Sequence, residues 1–185
     1  MNKYNFDKVK QATRLLLEGI GDDPDREGLK ETPDRVARMY QEILNGYDLD
    51  YKNHVKLFTC DSNDMVVVKD IPFYSYCEHH LQLFVGKLSI AYLPKGKVIG
   101  LSKLVRIART FAKRPQIQER LTQQIHEAVQ DSIPNEGVAV SIEAEHFCMS
   151  IRGVRTPGAK TKTTRLSGLF KEDSKARGEF LEALK

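Results

Sequence analysis

Cysteine and histidine crowd into two short stretches of this 185-residue chain. One is Tyr76-Cys77-Glu78-His79-His80, the other Glu145-His146-Phe147-Cys148-Met149. Cys77 and His80 are three residues apart, a spacing that lets one turn of chain close around a metal ion. His146 and Cys148 are two apart in a segment that alternates like a strand, which puts them on one face. Val138, Val140, Ile142 and Ala144 share that face, so the two polar groups sit at the edge of an apolar wall. Cysteine together with histidine favours zinc. Four protein ligands would make a closed, structural site. Three would leave a corner for water, which zinc acidifies to a pKa of about 7. Spacing leaves both arrangements open, along with the plainer reading of a buried cysteine as a small core residue. Cys60 has no histidine near it and reads as structural. His54 and His126 read as surface or internally satisfied histidines.

A different chemistry is suggested by Gly100-Leu101-Ser102-Lys103-Leu104-Val105-Arg106. Gly100 precedes a helical pattern, and a helix N-terminus attracts anions. Lys103 and Arg106 share a face, opposite Leu101, Leu104, Val105 and Ala108. Pattern alone favours a solvated basic face over a phosphate cradle. Glu119 lies opposite the apolar stripe Ile117, Leu121, Ile125 and Ala128, which on pattern alone means solvent.

Several elements must hold these groups. Helical spacing of Val9, Ala12, Leu15, Leu16 and Ile20 predicts a helix over 6–20. Thr32-Pro33 opens a second helix, with Thr32 as N-cap, and Asn45-Gly46 ends it. This pair is expected as an N-terminal arm, 1–50, ahead of a catalytic domain, 51–185. Strands are expected at 55–59, 65–71 and 81–93, the last with a bulge at Gly86-Lys87 where the apolar phase changes. Helices follow at about 101–113 and 116–132, separated at Arg114-Pro115. Strict alternation over 137–149 predicts another strand; 152–162 reads as a loop. A strand near 163–167 and a helix over 171–184 finish the chain. Runs of each type, rather than regular alternation, indicate an α+β fold with an antiparallel sheet.

Composition narrows the function classes. A hydrophobic fraction of 41% and a charged fraction of 29% suit a globular protein with a real core. The net charge of +4 is too small to argue for nucleic acid. No apolar run approaches the roughly 20 residues of a membrane helix. Met1 to Asp7 has no apolar stretch resembling a secretory leader, so a cytoplasmic location is expected. Three cysteines argue against a disulfide framework.

Five motifs occur in order: Cys77-Glu78-His79-His80, Gly100-Leu101-Ser102-Lys103, Arg114-Pro115-Gln116-Ile117-Gln118-Glu119-Arg120-Leu121-Thr122, His146-Phe147-Cys148 and Ser167-Gly168-Leu169-Phe170. Together they closely resemble the GTP cyclohydrolase I family, over nearly the whole chain. The resemblance implies the tunnelling fold, an antiparallel sheet with two helices on one face and an N-terminal helical arm. In that fold subunit sheets join into a barrel, and two pentamers stack into a homodecamer. It implies zinc held by Cys77, His80 and Cys148, which selects the open site, and leaves His79 and His146 as catalytic histidines with Ser102 as a further proton carrier. Those two cysteines are also the pair able to oxidise together if the metal were lost. Lys103, Arg106, Arg152 and, from an adjacent subunit, Arg35 fall on phosphate-binding positions, with Arg38 where relatives can carry lysine. Glu119 falls on the guanine-recognising residue, and Gln118 beside it on a substrate-binding position.

The implied reaction is hydrolysis of GTP at C8, a cyclic amidine C–N bond cleavage. It releases formate and, after ribose rearrangement, gives 7,8-dihydroneopterin triphosphate, the first step of tetrahydrofolate and pterin biosynthesis. Ser167 departs from the glycine often found there, and the 152–160 loop is variable. The alternatives are another purine- or pterin-acting enzyme of the tunnelling fold and, from a different class, a zinc-stabilised nucleic-acid module. The first would need a different reactive set from Cys77/His80/Cys148. The second would need a fourth ligand and an aromatic stacking platform, which the sequence lacks.

Overall fold

Asn5 caps the first helix: its side-chain oxygen accepts from the Lys8 amide at 2.9 Å, satisfying one of the donors that every helix start leaves unpaired. The computed structural model describes residues 4–185; Met1 to Lys3, at the head of the stretch read for a leader, lie outside them. The chain divides into two compact units, Met1–Leu49 and Asp50–Lys185. In the first, helices α1 (Phe6–Gly19) and α2 (Thr32–Ile43) pack together, and the Tyr4 hydroxyl donates to Ala37 O at 2.6 Å. Thr32, expected as the N-cap of α2, is instead its first residue. Glu31 holds the cap position in helical backbone with no capping bond from its side chain, because the preceding turn already coils into the helix. Pro33 fits the first turn, where no N–H is needed. Leu15, Leu16 and Ile20 of α1 remain exposed.

The strands of the second unit are β1 (Leu57–Thr59), β2 (Val66–Cys77), β3 (Leu83–Pro94), β4 (Lys97–Ile99), β5 (Pro115–Gln116), β6 (Asn135–His146) and β7 (Lys160–Leu166). Its helices are α3 (Leu101–Ala112), α4 (Gln118–Ser132), α5 (Phe147–Ser150), α6 (Leu169–Glu172) and α7 (Ser174–Ala183). β1 pairs with β4. The remaining strands form one sheet in the order β5-β2-β3-β6-β7, antiparallel except for β5 on β2. The fold is α+β, as the element order predicts.

The expected bulge at Gly86-Lys87 is absent. β3 runs through it unbroken, and Phe84, Leu88, Ile90 and Tyr92 all face one core. Gly86 falls in that row without a side chain, so the apolar phase looks interrupted along the sequence. Space requires the glycine: a Cβ there would lie 2.0 Å from Glu143 O of β6. The bulge lies in β2, between Val68 and Ile71. Val66 and Val68 pack on the main core before it; Ile71, Phe73 and Cys77 do so after it. One inserted residue changes which positions face inward, and that change turns Cys77 to the core side. Asp70 sits in the bulge at φ 57, its amide donating to Ser89 Oγ at 3.3 Å.

β2 also runs six residues past its expected end at Ile71. Pro72 looks like a stop, but β2 is an outer strand there, where a missing N–H breaks no ladder. Leu81, expected to begin β3, lies in the preceding turn at φ 51.

Helices α3 and α4 cover one face of the sheet. Leu104, Ile107, Ala108, Leu121, Ile125 and Val129 meet Leu88, Ile90, Val140 and Ile142 there. Burying each large aliphatic side chain contributes roughly 1.5–3 kcal/mol. Leu101, expected on the apolar face of α3, is 59% exposed, one turn ahead of the buried row that starts at Leu104. The expected last helix divides at Asp173, whose carboxylate recaps α7 by accepting from Lys175 N at 2.7 Å. Phe170 and Phe180, on either side of that break, form a small second core with Ala91 and Ala139.

Candidate active site

Cys77 ends β2, where the strand meets β5 through the pairs Tyr76↔Pro115 and Cys77↔Gln116. A tight turn follows. Cys77 O accepts from the Leu81 amide at 2.8 Å, and Cys77 N–H donates to Gln82 O at 2.8 Å. The turn folds both histidines back on the sulfur: Cys77 Sγ lies 3.8 Å from His80 Nδ1 and 3.9 Å from His79 Nδ1. Glu78 anchors it from outside. Its amide donates to Gln116 O at 3.0 Å, and its carboxylate pairs with Arg120, which also donates to Gln116 Oε1. The Arg120 guanidinium holds the Glu78 carboxyl below its ordinary pKa.

Cys148 does not continue a strand, as its spacing from His146 suggests. β6 stops at His146, and Phe147–Ser150 make the single turn α5. The turn still delivers the sulfur. The ligand atoms of Cys77, His80 and Cys148 lie within 4.8 Å of one another, the one such convergence of three or more Cys, His, Asp or Glu groups among the described residues. Burial pushes the Cys148 thiol pKa up, and neighbouring Cys77 pushes it further. Two sulfurs in that relation resist ionising together without a countercharge, which a divalent cation provides. The donor set therefore fits zinc, and three donors leave room for water.

His146 stands beside this group. Its ring stacks on Phe84 with centroids 4.6 Å apart and planes at 2°. Nε2 lies 2.8 Å from Gln118 Oε1. Burial lowers the His146 pKa, and the Glu119 carboxylate opposes that shift, so Glu119 lies within electrostatic reach although its own side chain is exposed. Arg152 Nη1 is 3.1 Å from His80 Nε2. Glu145 secures the loop that carries Arg152, accepting from Ser150 Oγ at 2.6 Å and Gly158 N at 2.9 Å.

The anion-binding candidates are distributed differently. Ser102 and Arg106 are exposed near the start of α3, and Lys103 is half-buried. Gly100 is the cap residue, and no side chain caps the helix with a hydrogen bond. Neither Lys103 nor Arg106 is held in an ion pair among the described residues. Arg35 and Arg38 lie one turn apart on α2 of the first unit, both exposed, and Arg35 bridges Glu31 at 2.6 Å.

The family model described as GTP cyclohydrolase I matches residues 9–185. The chain belongs to the GTP cyclohydrolase I family. It is 56% identical over 181 residues to the GTP cyclohydrolase 1 of Aquifex aeolicus, covering 97% of this chain and 96% of that one. With the Thermoanaerobacter pseudethanolicus enzyme of the same name it shares 54% over 180 residues, 96% of each chain. Its identity to the Bacillus subtilis enzyme of that name is 51%, covering all of this chain and 98% of the other. The family is zinc-dependent, and the Cys77, His80 and Cys148 group could hold that metal. GTP cyclohydrolase I membership does not by itself explain the Glu78–Arg120 strut or the Glu145 clamp, which sequence reading leaves out. Both depend on partners brought by β5 and the 150–158 loop, so spacing carries no sign of them. Gln118 had a local signal: it shares helical spacing with buried Leu121, Thr122 and Ile125, so a polar side chain occupies an inward position.

Proposed function

We propose that this chain hydrolyses GTP and rearranges it to 7,8-dihydroneopterin triphosphate with release of formate, opening tetrahydrofolate and pterin biosynthesis. The observation that carries the reading is the Cys77, His80 and Cys148 convergence with His79 close by outside the donor set. Zinc held there supplies Lewis acidity, the chemistry that makes water a nucleophile at neutral pH. The remaining work falls to side chains. His79, exposed beside Cys77, holds a proton for purine N7, which makes C8 electrophilic. His146 and Ser102 carry protons during the ribose rearrangement; imidazole suits this because its two nitrogens can hold and accept a proton in turn.

Glu119 accepts from the N1–H and 2-amino group of guanine. Adenine offers no such pair of donors and would leave the carboxylate unpaired. Lys103, Arg106 and Arg152 take the triphosphate, with Arg35 and Arg38 contributed by an adjacent subunit. The assembly that supplies them is a homo-oligomer, two stacked pentamers whose sheets join edge to edge. Among the described residues β7 pairs only with β6, and β2 meets β5 only at its last residues, which leaves long edges on both sides for a neighbouring strand. No described helix is long and apolar enough to cross a membrane, and a cytoplasmic location agrees with the substrate.

The test incubates zinc-loaded protein with GTP and assays formate together with the fluorescence of oxidised pterin. Both products are expected in equal amounts. Zinc-replete protein that forms neither overturns the proposal. Pterin formation from another purine, with GTP untouched, would favour a different enzyme of the same fold.

A further inference from the structure

Gln118, the first residue of α4, is 2% exposed, and its amide is fully engaged inside the chain. Nε2 lies 3.1 Å from Ile142 O, 3.0 Å from Thr161 O and 3.1 Å from Thr163 Oγ1. Two of these are backbone carbonyls, which can only accept, so the NH₂ end of the amide must face them. That leaves Oε1, an obligate acceptor, 2.8 Å from His146 Nε2. An acceptor needs a hydrogen opposite it, so His146 Nε2 carries one. A neutral imidazole has a single N–H, and its lone pair is then at Nδ1.

The arrangement is braced on all sides. Thr122 Oγ1 donates to Gln118 O at 2.8 Å and lies 2.7 Å from Thr163 Oγ1, closing a ring of bonds that returns to the Gln118 amide. Phe84 holds the imidazole plane by parallel stacking. The other neutral tautomer, with its hydrogen on Nδ1, would set a lone pair against Gln118 Oε1.

We infer that Gln118 is a positioning residue that holds neutral His146 in the Nε2–H form and presents Nδ1 as its proton-accepting atom. The inference rests on the proposed proton-carrying role of His146. It departs from the expectation that the Gln118 side chain contacts substrate, because both amide hydrogens are taken by acceptors within the chain.

The experiment measures steady-state GTP turnover and zinc content in Gln118→Met and His146→Ala, and the imidazole ¹⁵N spectrum of wild-type protein above pH 7. Methionine keeps the length of Gln118 and removes donor and acceptor. Gln118→Met should retain zinc and a GTP KM within about twofold. Its kcat should fall about 10- to 100-fold, the range expected when the outer hydrogen-bond partner of a functional histidine is lost. The wild-type spectrum should show His146 protonated at Nε2 and bare at Nδ1. Full kcat in Gln118→Met alongside an inactive His146→Ala overturns the inference, as does a wild-type signal with hydrogen on Nδ1. Full turnover in His146→Ala overturns the role of His146 instead. Should Gln118→Met not fold, the wild-type spectrum decides.

Discussion

Arg152 and His80 share a hydrogen bond, Nη1 to Nε2, at 3.1 Å. A guanidinium has donors only and stays charged, so Nε2 is the lone-pair nitrogen of His80 in this contact. The contact sets the Arg152 cation at the edge of the three-donor centre, beside the place where a phosphate is proposed to bind.

Arg152→Met removes that cation. The KM for GTP, measured by steady-state turnover, should rise about 10- to 100-fold through loss of a charge-assisted phosphate contact. An unchanged KM would count against a phosphate role for Arg152.

His79 and His80 are adjacent, yet only His80 belongs to the converging donors. His79→Ala should keep one zinc per chain by elemental analysis while kcat falls about 10²- to 10⁴-fold, the usual contribution of a positioned acid or base. His80→Ala or Cys148→Ser should lose the zinc as well. Zinc lost from His79→Ala would make His79 a ligand and the site closed.

The local half of the centre is legible in the sequence because one turn makes it: Cys77 and His80 need only the Cys77–Leu81 hydrogen bond to meet. Their meeting with Cys148 depends on register. Tyr76 pairs with Leu83, and Phe84 pairs with His146, so β3 bridges the two motifs. Alternation places His146 correctly on the core face, but it cannot foresee that the next four residues wind into a turn. Similarly, the extra residue between Val68 and Ile71 leaves no mark in composition; its effect is visible only as a change in which side chains face α3 and α4. Glu119 reads as solvent-facing and is exposed. Its influence on His146 arises because β6 ends beside α4, a tertiary fact.

Gly86→Ala tests the account of β3. The added methyl would press on Glu143 O at 2.0 Å and Ala144 Cα at 2.7 Å, both backbone atoms of a central strand that cannot rotate away. Overpacking of this kind costs typically about 1–3 kcal/mol and occasionally more. The melting temperature should fall by roughly 2–12 °C at this chain length. A bulge at Gly86-Lys87 would absorb the methyl, and the variant would then melt with the wild type.

His126 gives a pH dependence independent of the metal ligands. It is 3% exposed, with Nε2 3.2 Å from Val138 O and 3.0 Å from Ser167 Oγ, while Nδ1 is buried and has no hydrogen-bond partner among the described residues. Val138 O can only accept, so Nε2 carries the hydrogen, and protonation would bury a second N–H at Nδ1 without an acceptor. Burial accordingly pushes the His126 pKa below its ordinary value. The unfolded chain takes up this proton near pH 6.5, whereas the folded chain resists until the pH is lower. Between those points the unfolded state binds more protons, so stability falls as the pH drops below about 6.5 and is fully present above it. His126→Gln keeps a donor for Val138 O and cannot titrate. Melting temperatures measured from pH 7.5 to 5.5 should decline more steeply for wild type than for His126→Gln. The metal centre titrates alike in both, so the difference between the two slopes belongs to His126, and equal slopes would remove it as a source of acid sensitivity.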